Sequence, residues 1–357
     1  MADGSASGTT AGEIVHIGCY TAAGGGHGTG IVAARRDPVT GALDPLDVVA
    51  TTPSPSFLVR HPRLPVLYAV NELTDGTVSA WTVHPDGALT ALAVVPTGGD
   101  GPCHLAVDPR GRHLFTANYG SGSVSVHPLD GTGAPGERTD LVRHDGRGPV
   151  PDRQDGPHAH MVSPDPAGTG LFAVDLGTDS IHRYEVGGDG RLREVARVRT
   201  RPGTGPRHLA RHPDGRRCYL AGELDASVTA YEWDGGAGLT ERGRVGASRR
   251  SGPVQPSEIV VGPDGRFLYL ANRGVGTVTV FALDDDLPRY VDEVATTGDW
   301  PRHIALLGAH LYVAQERAGA VVVFPVDPET GVPGPASARL ETGTPTCVLG
   351  GGSLIFP

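Results

Sequence analysis

The repeating unit of this chain is clearest in the stretch PCHLAVDPRGRHLFTANYGSGSVSVHPL, residues 102–129. It contains three short runs, PCHLAVD, HLFTANYG and SGSVSVHPL, each β-branched or alternating and each bounded by Gly, Pro or Asp. Short alternating runs between turn-forming residues are typical of antiparallel strands. The stretch therefore predicts consecutive strands of one sheet that begin at a proline.

The same pattern returns along the whole chain, for example in PRHLARHPDGRRCYLAGELDASVTAYEW (206–233) and PSEIVVGPDGRFLYLANRGVGTVTVFAL (256–283). The anchoring prolines are separated by 47, 55, 49, 50, 45 and 44 residues, and they are Pro55, Pro102, Pro157, Pro206, Pro256, Pro301 and Pro345. A period of this size with four short strands is that of one β-propeller blade. No long stretch carries a 3.6-residue period with helix caps. The sequence predicts an all-β, seven-bladed β-propeller with four antiparallel strands per blade.

The two ends of the chain look like complementary parts of one blade. The last unit stops after PTCVLGGGSLIFP (345–357) and lacks outer strands, while the chain opens in mid-unit with IVHIGCYT (14–21) and GIVAARRDPVTG (30–41). We therefore expect the N- and C-terminal segments to share the seventh blade and close the ring. The predicted organisation is a single propeller domain over residues 13–357, preceded by a disordered leader over residues 1–12.

Composition excludes several classes of function. All 30 basic residues are Arg, and without Lys neither Schiff-base chemistry nor a Walker-type phosphate loop is available. A formal charge of −10 argues against nucleic acid and anionic membranes as partners. The N-terminus lacks the features of a signal peptide and no run is long enough to span a membrane, so the expected compartment is the cytoplasm. The four cysteines form no CxxC and are interpreted as free thiols.

Two columns of residues in the repeat are rich in ionisable groups. The first follows each anchoring proline and includes His104, His158, His160, Arg207, His208, Glu258, Arg302 and His303; the second ends each second strand and includes Tyr20, Glu72, Tyr119, Glu223, Arg273 and Glu316. In an antiparallel pair, the first strand starts where the second strand ends, so both columns should meet at one mouth of the ring. Packing alone would favour small or apolar residues there. The alternative is that these groups only pair with one another around a water-filled channel.

Within the columns, Arg207, Glu223 and Arg273 lie in adjacent units, and His158 or His160 comes from the preceding unit. We expect these residues to form the catalytic group, with one of the two histidines or Glu223 as the base. The predicted substrate-binding residues are His160, His208, Glu258, Arg302, His303, Glu316 and Tyr119. The longest unit owes its length to HDGRGPVPDRQDG (144–156), directly before His158, which is either a lid or rim of the site or a solvated loop.

Five segments resemble the seven-bladed lactonase family, which includes propeller-type 6-phosphogluconolactonases and fungal carboxymuconate-cyclising enzymes. They are GCYTAAGGGHGTGI (18–31), NYGSGSVSV (118–126), QDGPHAH (154–160), GPRHLARHPDGRRCYLAGEL (205–224) and QPSEIVVGPDGRFLYLANRG (255–274). The resemblance runs from about residue 14 to the end and implies lactone chemistry in the central cleft without a metal or organic cofactor. It carries the family's active-site motifs onto His158, Arg207, Glu223 and Arg273. Gly222 departs from the family pattern, in which Asn-Glu-Leu is usual at 222–224.

The predicted activity is hydrolysis of a sugar lactone, foremost 6-phosphoglucono-δ-lactone of the pentose phosphate pathway, by general-base activation of water. A strained ester needs an activated water and a cation that faces the developing oxyanion, which His or Glu and Arg supply. No Gly-x-Ser-x-Gly elbow is present, so a covalent serine mechanism is not indicated. The alternatives are a lactonising or cycloisomerase enzyme acting on a muconate-like diacid, and a non-enzymatic propeller scaffold. The expected partner is a small lactone, with or without a phosphate, and the sequence leaves the oligomeric state open.

Overall fold

A computed structural model describes residues 12–236 and 238–351 of the chain. Within these ranges the chain forms seven four-stranded antiparallel sheets, each a blade of the predicted propeller. The predicted leader lies outside the described residues except for Gly12.

The blades are numbered here from the first complete one. Blade 1 contains β4 (Pro55–Arg60), β5 (Val66–Asn71), β6 (Thr77–Val83) and β7 (Leu89–Pro96). Blade 2 contains β8 (Pro102–Val107), β9 (His113–Asn118), β10 (Ser123–Pro128) and β11 (Asp140–Arg143). Blade 3 contains β12 (Ala159–Pro164), β13 (Gly170–Asp175), β14 (Ser180–Val186) and β15 (Leu192–Arg199). Blade 4 contains β16 (Pro206–Arg211), β17 (Arg217–Gly222), β18 (Ser227–Trp233) and β19 (Leu239–Gly246).

Blade 5 contains β20 (Val254–Val261), β21 (Phe267–Gly274), β22 (Thr277–Ala282) and β23 (Arg289–Ala295). Blade 6 contains β24 (Pro301–Leu307), β25 (His310–Gln315), β26 (Ala320–Pro325) and β27 (Ala338–Glu341). Blade 7 contains β28 (Pro345–Leu349), β1 (Glu13–Cys19), β2 (Ile31–Arg36) and β3 (Leu43–Ala50). Among the described residues, one short 3-10 helix, Ala22–Gly24, lies in the loop between β1 and β2.

Blade 7 closes the ring as the sequence predicts. Its strand order is β28-β1-β2-β3, so the C-terminal strand is the first strand of a blade whose other three strands come from the N-terminus. The register runs from His16 opposite Leu349 to Cys19 opposite Pro345. The ring is thus held by strand pairing and packing, which leaves no open blade edge at the junction.

The first strands of the blades line the centre of the ring, since each contacts the first strand of the next blade, and β28 contacts β4 to complete the circle. The apolar core is divided among the blade interfaces. In the described part of the chain there are seven buried clusters, each formed by two neighbouring blades. Stability is therefore spread around the ring, and the narrow centre is left to polar residues.

All four cysteines are buried and free, in agreement with the sequence interpretation. Among the described residues, no helix has the length and hydropathy needed to cross a membrane.

Candidate functional site

The inner wall of the ring is shaped by a β-bulge at the start of every first strand. In blade 4, Pro206 pairs with Gly222 and Leu209 with Leu220, so Arg207 and His208 together oppose a single residue. The other six blades show the same register shift at the same place. A bulge turns side chains out of the normal alternation of a strand. This local feature directs the bulged residues of the first column into the channel, beside the second column at the ends of the paired strands. In blade 3 the bulged residue is His160, so the placement of His158 in this column, predicted from Pro157, is wrong: His158 precedes the strand.

Glu223 lies at the centre of a compact group of charges at one side of the mouth. Its Oε2 is 2.6 Å from Arg273 Nη2 and 3.2 Å from Arg207 Nε, and its Oε1 accepts a hydrogen bond from Arg153 Nη2 at 2.5 Å. We call Arg153, Arg207, Glu223 and Arg273 the Glu223 cluster. With three guanidinium groups and one carboxylate, it has a formal charge of +2. The predicted association of Arg207, Glu223 and Arg273 is present, and Arg153 joins it.

The two buried arginines of this cluster differ in their other contacts. Arg273 donates from Nε to the Gln255 carbonyl at 3.3 Å and from Nη2 to the Pro256 carbonyl at 3.1 Å, which fixes the side chain. Arg207 is 3% exposed; its Nε faces Glu223 Oε2 at 3.2 Å, whereas its Nη1 has no hydrogen-bond partner among the described residues. Buried, unpaired donors are costly unless a ligand uses them. Arg207 is therefore the cation with free capacity for an anionic group in the cleft.

The surroundings of this cluster also set its protonation. Burial alone would raise the pKa of Glu223, but Arg273, Arg207 and Arg153 lower it to about 2. Burial, together with Arg273, lowers the pKa of Arg207 to about 10, which still leaves it charged at neutral pH. A carboxylate this acidic is a weak proton acceptor. Its geometry favours orienting the guanidinium groups.

His158 lies at the rim, next to the insertion at 144–156. Its Nδ1 is 3.0 Å from the Tyr119 carbonyl, which can only accept, so Nδ1 carries the proton. Its ring stacks on Tyr119 with 4.5 Å between ring centroids, and Nε2 is 3.2 Å from Oδ1 of the exposed Asp155. A carboxylate only accepts, so the contact with Asp155 needs a proton on Nε2, and the Nε2 lone pair is available to a water molecule when the exposed Asp155 side chain turns away. This is the arrangement of an oriented general base.

His160 is separated from His158 by one residue but points into the channel. It is the extra residue of the blade 3 bulge, its ring lies 5.2 Å from that of His208, and Cys103 Sγ is 3.9 Å from its Nδ1. Burial, followed by Arg207, holds the pKa of His160 well below its usual range. The rim position and the orienting carbonyl favour His158 over His160 as the base.

Glu258 bridges two histidines deeper in the channel. Its Oε1 is 3.1 Å from His208 Nδ1, and its Oε2 is 3.6 Å from His303 Nε2. Burial lowers the pKa of both histidines, that of His303 to about 4. The predicted substrate-binding residues His208, Glu258 and His303 thus form a connected group below the mouth.

Arg302 forms a second charged group across the channel. Its Nη1 is 3.1 Å from Glu316 Oε2, and its Nη2 donates to the Tyr20 hydroxyl at 2.5 Å and is 3.7 Å from Glu72 Oε2. We call Tyr20, Glu72, Arg302 and Glu316 the Arg302 cluster; its formal charge is −1. Burial alone would lower the pKa of Arg302, but Tyr20, Glu72 and Glu316 raise it above its ordinary value.

One small polar cavity connects the two clusters. Its lining includes Arg207 from one side, Arg302 from the other, and the histidine and glutamate side chains between them; the full lining is Ser56, Phe57, Cys103, Arg207, His208, Glu258, Arg302, His303 and Thr346. Seven of these nine residues come from the bulged positions, so the cavity is built by the repeat itself.

A further group of potential metal ligands, His144, Asp175 and His182, is buried in blade 3 and beside it, outside the channel. Most of its polar atoms are engaged in hydrogen bonds, His144 Nδ1 with Asp175 Oδ2 at 2.6 Å and His182 Nε2 with Ser180 Oγ at 2.9 Å, while His144 Nε2 has no partner among the described residues. The two imidazole rings stack with 3.8 Å between centroids. The group is therefore a hydrogen-bonded support for the neighbouring insertion.

Sequence reasoning did not include Arg153 among the site residues. It lies in PDRQDG, outside both columns, and the only available signal was an arginine within the insertion that precedes His158. Tyr20 and Glu72 were visible in the second column, but their shared contact with Arg302 was not, because they come from blades 7 and 1 and Arg302 from blade 6.

Comparison with known proteins agrees with this architecture. The family model for "Lactonase, 7-bladed beta-propeller" matches residues 14–350. The chain is 32% identical to a 6-phosphogluconolactonase of Bacillus subtilis over 94% of this chain and 97% of that protein. It is 30% identical to a 6-phosphogluconolactonase of Formosa agariphila over 85% of this chain and 90% of that protein.

Among solved structures, the chain is similar to a periplasmic gluconolactonase of Pseudomonas aeruginosa. The TM-score is 0.89 at 30% sequence identity, and the alignment covers 97% of this chain and 99% of the other.

Proposed function

The chain belongs to the seven-bladed β-propeller lactonase family, and it is a lactone-hydrolysing enzyme for which we propose 6-phosphoglucono-δ-lactone as the substrate and 6-phosphogluconate as the product. A phosphorylated lactone is supported by the formal charge of +2 at the Glu223 cluster, where three guanidinium groups surround one carboxylate. Arginine binds phosphate and carboxylate oxygens through paired N–H groups. The reaction belongs to the pentose phosphate pathway.

The proposed chemistry begins with a water molecule held by His158 Nε2. The Nδ1–H···O=C bond to Tyr119 keeps the lone pair on Nε2, which takes a proton as the water oxygen attacks the lactone carbonyl carbon. The exposed Asp155 carboxylate, 3.2 Å from Nε2, turns aside to admit this water and stays close enough to stabilise the imidazolium that forms. The ring C–O bond then breaks, and the proton on His158 passes to the departing ring oxygen, so that water is added across the ester and the base is regenerated.

Arg207 supplies the charge stabilisation in this scheme. Its Nη1 donor is buried in the cleft without a partner among the described residues, and a tetrahedral intermediate places a full negative charge on the former carbonyl oxygen. Donors fixed before the reaction stabilise that charge without reorganisation. Glu223 and Arg273 hold Arg207 in place, since Glu223 contacts both guanidinium groups and Arg273 is tied to backbone carbonyls.

The test is a comparison of freshly prepared 6-phosphoglucono-δ-lactone, unphosphorylated glucono-δ-lactone and a muconolactone, each measured against its spontaneous hydrolysis. The proposal predicts the largest kcat/KM for the phosphorylated lactone. Hydrolysis no faster than background for the phosphorylated lactone, or a preference for the muconolactone, would refute it.

A cytoplasmic location is part of the same proposal, because phosphorylated sugars are intracellular metabolites. Fractionation of the native host followed by detection of the protein tests this, and recovery in a periplasmic or secreted fraction would contradict it.

A further inference from the structure

Arg153 is the one member of the Glu223 cluster that the repeat does not supply. It belongs to the insertion at 144–156, and its side chain is 35% exposed, against 4% for Arg207 and 7% for Arg273. Arg153 also hydrogen-bonds to the Tyr119 side chain: burial raises the pKa of that tyrosine, and the hydrogen bond from Arg153 partly offsets the rise. Arg153 is therefore at the solvent side of the cluster, with a neutral hydroxyl donor beside it.

The insertion that carries Arg153 is anchored at several points. Asp175 Oδ2 accepts from His144 Nδ1 at 2.6 Å at its start, and Asp175 Oδ1 accepts from the backbone N–H of His158 at 3.0 Å after its end. Gln154 is fully buried and donates to the Leu176 carbonyl at 2.8 Å. Its Oε1 accepts from the backbone N–H of Val150 at 3.2 Å. These bonds fix the backbone next to Arg153 and direct its guanidinium over the mouth.

The three arginines of the cluster have different capacities for a ligand. Arg273 already donates to two backbone carbonyls. Arg207 is buried beside the cavity, where it is assigned to the oxygen of the lactone carbonyl. The phosphate of 6-phosphogluconolactone is on C6, outside the lactone ring, and needs a cation away from the carbonyl. Arg153 meets that requirement, because its partner Glu223 retains Arg207 and Arg273 when the Arg153 guanidinium turns to another anion.

We propose that Arg153, assisted by the Tyr119 hydroxyl, binds the substrate phosphate and determines the preference for phosphorylated over free lactones. This inference rests on the proposed function. Binding exchanges one ion pair for another: the guanidinium leaves Glu223 Oε1 for two phosphate oxygens, and no covalent bond changes. A paired guanidinium–phosphate contact then contributes to both substrate and transition-state binding, so its loss appears mainly in kcat/KM.

The experiment compares kcat/KM for 6-phosphoglucono-δ-lactone and glucono-δ-lactone in the wild type and in Arg153→Ala, Arg153→Lys and Arg147→Ala. Arg147 is exposed in the same insertion, so its variant removes the same charge from the same segment. We expect Arg153→Ala to lower the ratio of the two kcat/KM values by about 10- to 100-fold, as for loss of a charge-assisted hydrogen bond. Arg153→Lys should give an intermediate ratio because it keeps the charge without the planar fork. Arg147→Ala should keep the wild-type ratio.

Inorganic phosphate provides a second readout that does not depend on the phosphorylated substrate. It should inhibit glucono-δ-lactone hydrolysis competitively in the wild type, with an inhibition constant raised at least about 10-fold in Arg153→Ala and unchanged in Arg147→Ala. Thermal unfolding verifies that each variant is folded.

An unchanged ratio in folded Arg153→Ala, or an equal loss on both lactones, would overturn the assignment of Arg153. A wild-type enzyme with no preference for the phosphorylated lactone would instead refute the proposed substrate. The two failures are therefore distinguishable.

Discussion

The tripeptide Pro-Arg-His occurs at 206–208 in blade 4 and at 301–303 in blade 6, and the two copies have opposite electrostatic surroundings. Both histidines contact Glu258, which lies between them. Arg207, however, shares the carboxylate of Glu223 with two other arginines. Arg302 instead contacts two carboxylates and a tyrosine hydroxyl, those of Glu316, Glu72 and Tyr20. Burial acts to lower the pKa of both arginines; Arg273 lowers that of Arg207 further, whereas Tyr20, Glu72 and Glu316 raise that of Arg302 above its ordinary value.

This difference shows how one repeat yields two kinds of site. The same motif supplies the same side chains, but the ends of neighbouring second strands and the insertion decide which charges surround them. At the Glu223 cluster an added anion relieves repulsion among guanidinium groups, while at the Arg302 cluster it would add to an existing excess of carboxylates. The anionic parts of the substrate and transition state therefore belong on the Arg207 side.

The largest expected effect concerns the base on the Arg207 side. His158→Asn should lower kcat by about 10²- to 10⁴-fold with a smaller change in KM, because it removes a general base without removing a charge contact to the substrate. His303→Asn, on the Arg302 side, is the matched control and should lower kcat by less than about 10-fold. Steady-state kinetics on the preferred lactone gives both values. Equal losses in the two variants would remove the distinction between the two sides.

The second prediction concerns the free energy of unfolding and compares the carboxylates of Glu223 and Glu316. Glu223→Gln leaves three buried or half-buried guanidinium groups without a counter-charge and should lower the free energy of unfolding by about 3–5 kcal/mol. Glu316→Gln leaves Arg302 paired with Glu72 and Tyr20, so we expect a loss of about 1 kcal/mol. Denaturant unfolding monitored by circular dichroism measures both. A loss for Glu316→Gln that matches or exceeds that of Glu223→Gln would contradict the charge assignment.

The two Pro-Arg-His arginines give a third comparison. Arg207→Lys should lower kcat/KM by about 10- to 150-fold, since lysine keeps the charge but cannot present the same buried donors to an oxyanion. Arg302→Lys should lower it by less than about 5-fold, because Arg302 balances charges on the opposite wall. If Arg302→Lys is the more damaging variant, the reaction takes place on the Arg302 side.

The smallest effect is the acid dependence of stability. The pKa of Glu223 is about 2 in the folded protein and 4.5 in its unperturbed state, so its contribution is complete above pH about 4.5 and decreases as the pH falls toward 2. Each pH unit in that interval changes the unfolding free energy by up to about 1.4 kcal/mol for one group. Unfolding free energies measured between about pH 5 and pH 3 should therefore decline less steeply in Glu223→Gln than in the wild type. Parallel curves would show that Glu223 is not a strongly acidic group.

The propeller architecture could be predicted from the sequence because the repeat recurs regularly along the whole chain. Seven prolines, regular strand runs and complementary chain ends predicted the number of blades and the closure through β28 and β1, and the structure confirms both. The two ionisable columns do meet, as the pairing of Pro206 with Gly222 and Pro256 with Asn272 shows.

The division of the site into two clusters could not be predicted in this way. The bulges at Arg207 and Arg302 decide how far each side chain turns into the channel, and no residue type in the repeat reveals a bulge. His158 follows Pro157 directly, as Arg207 follows Pro206, yet the bulge of blade 3 is at His160, which therefore enters the channel and leaves His158 at the rim. Arg153 is absent from the repeat pattern, and only the anchoring of its loop by Asp175 and Gln154 brings it to Glu223.

A crystal structure with the product 6-phosphogluconate would show directly whether the anionic ligand binds on the Arg207 side of the channel. We expect the product carboxylate within hydrogen-bonding distance of Arg207 and the phosphate at Arg153 and Tyr119, with Arg302 still paired to Glu316. Electron density for the product with its phosphate or carboxylate bound to Arg302, and the Glu223 cluster left intact, would contradict it.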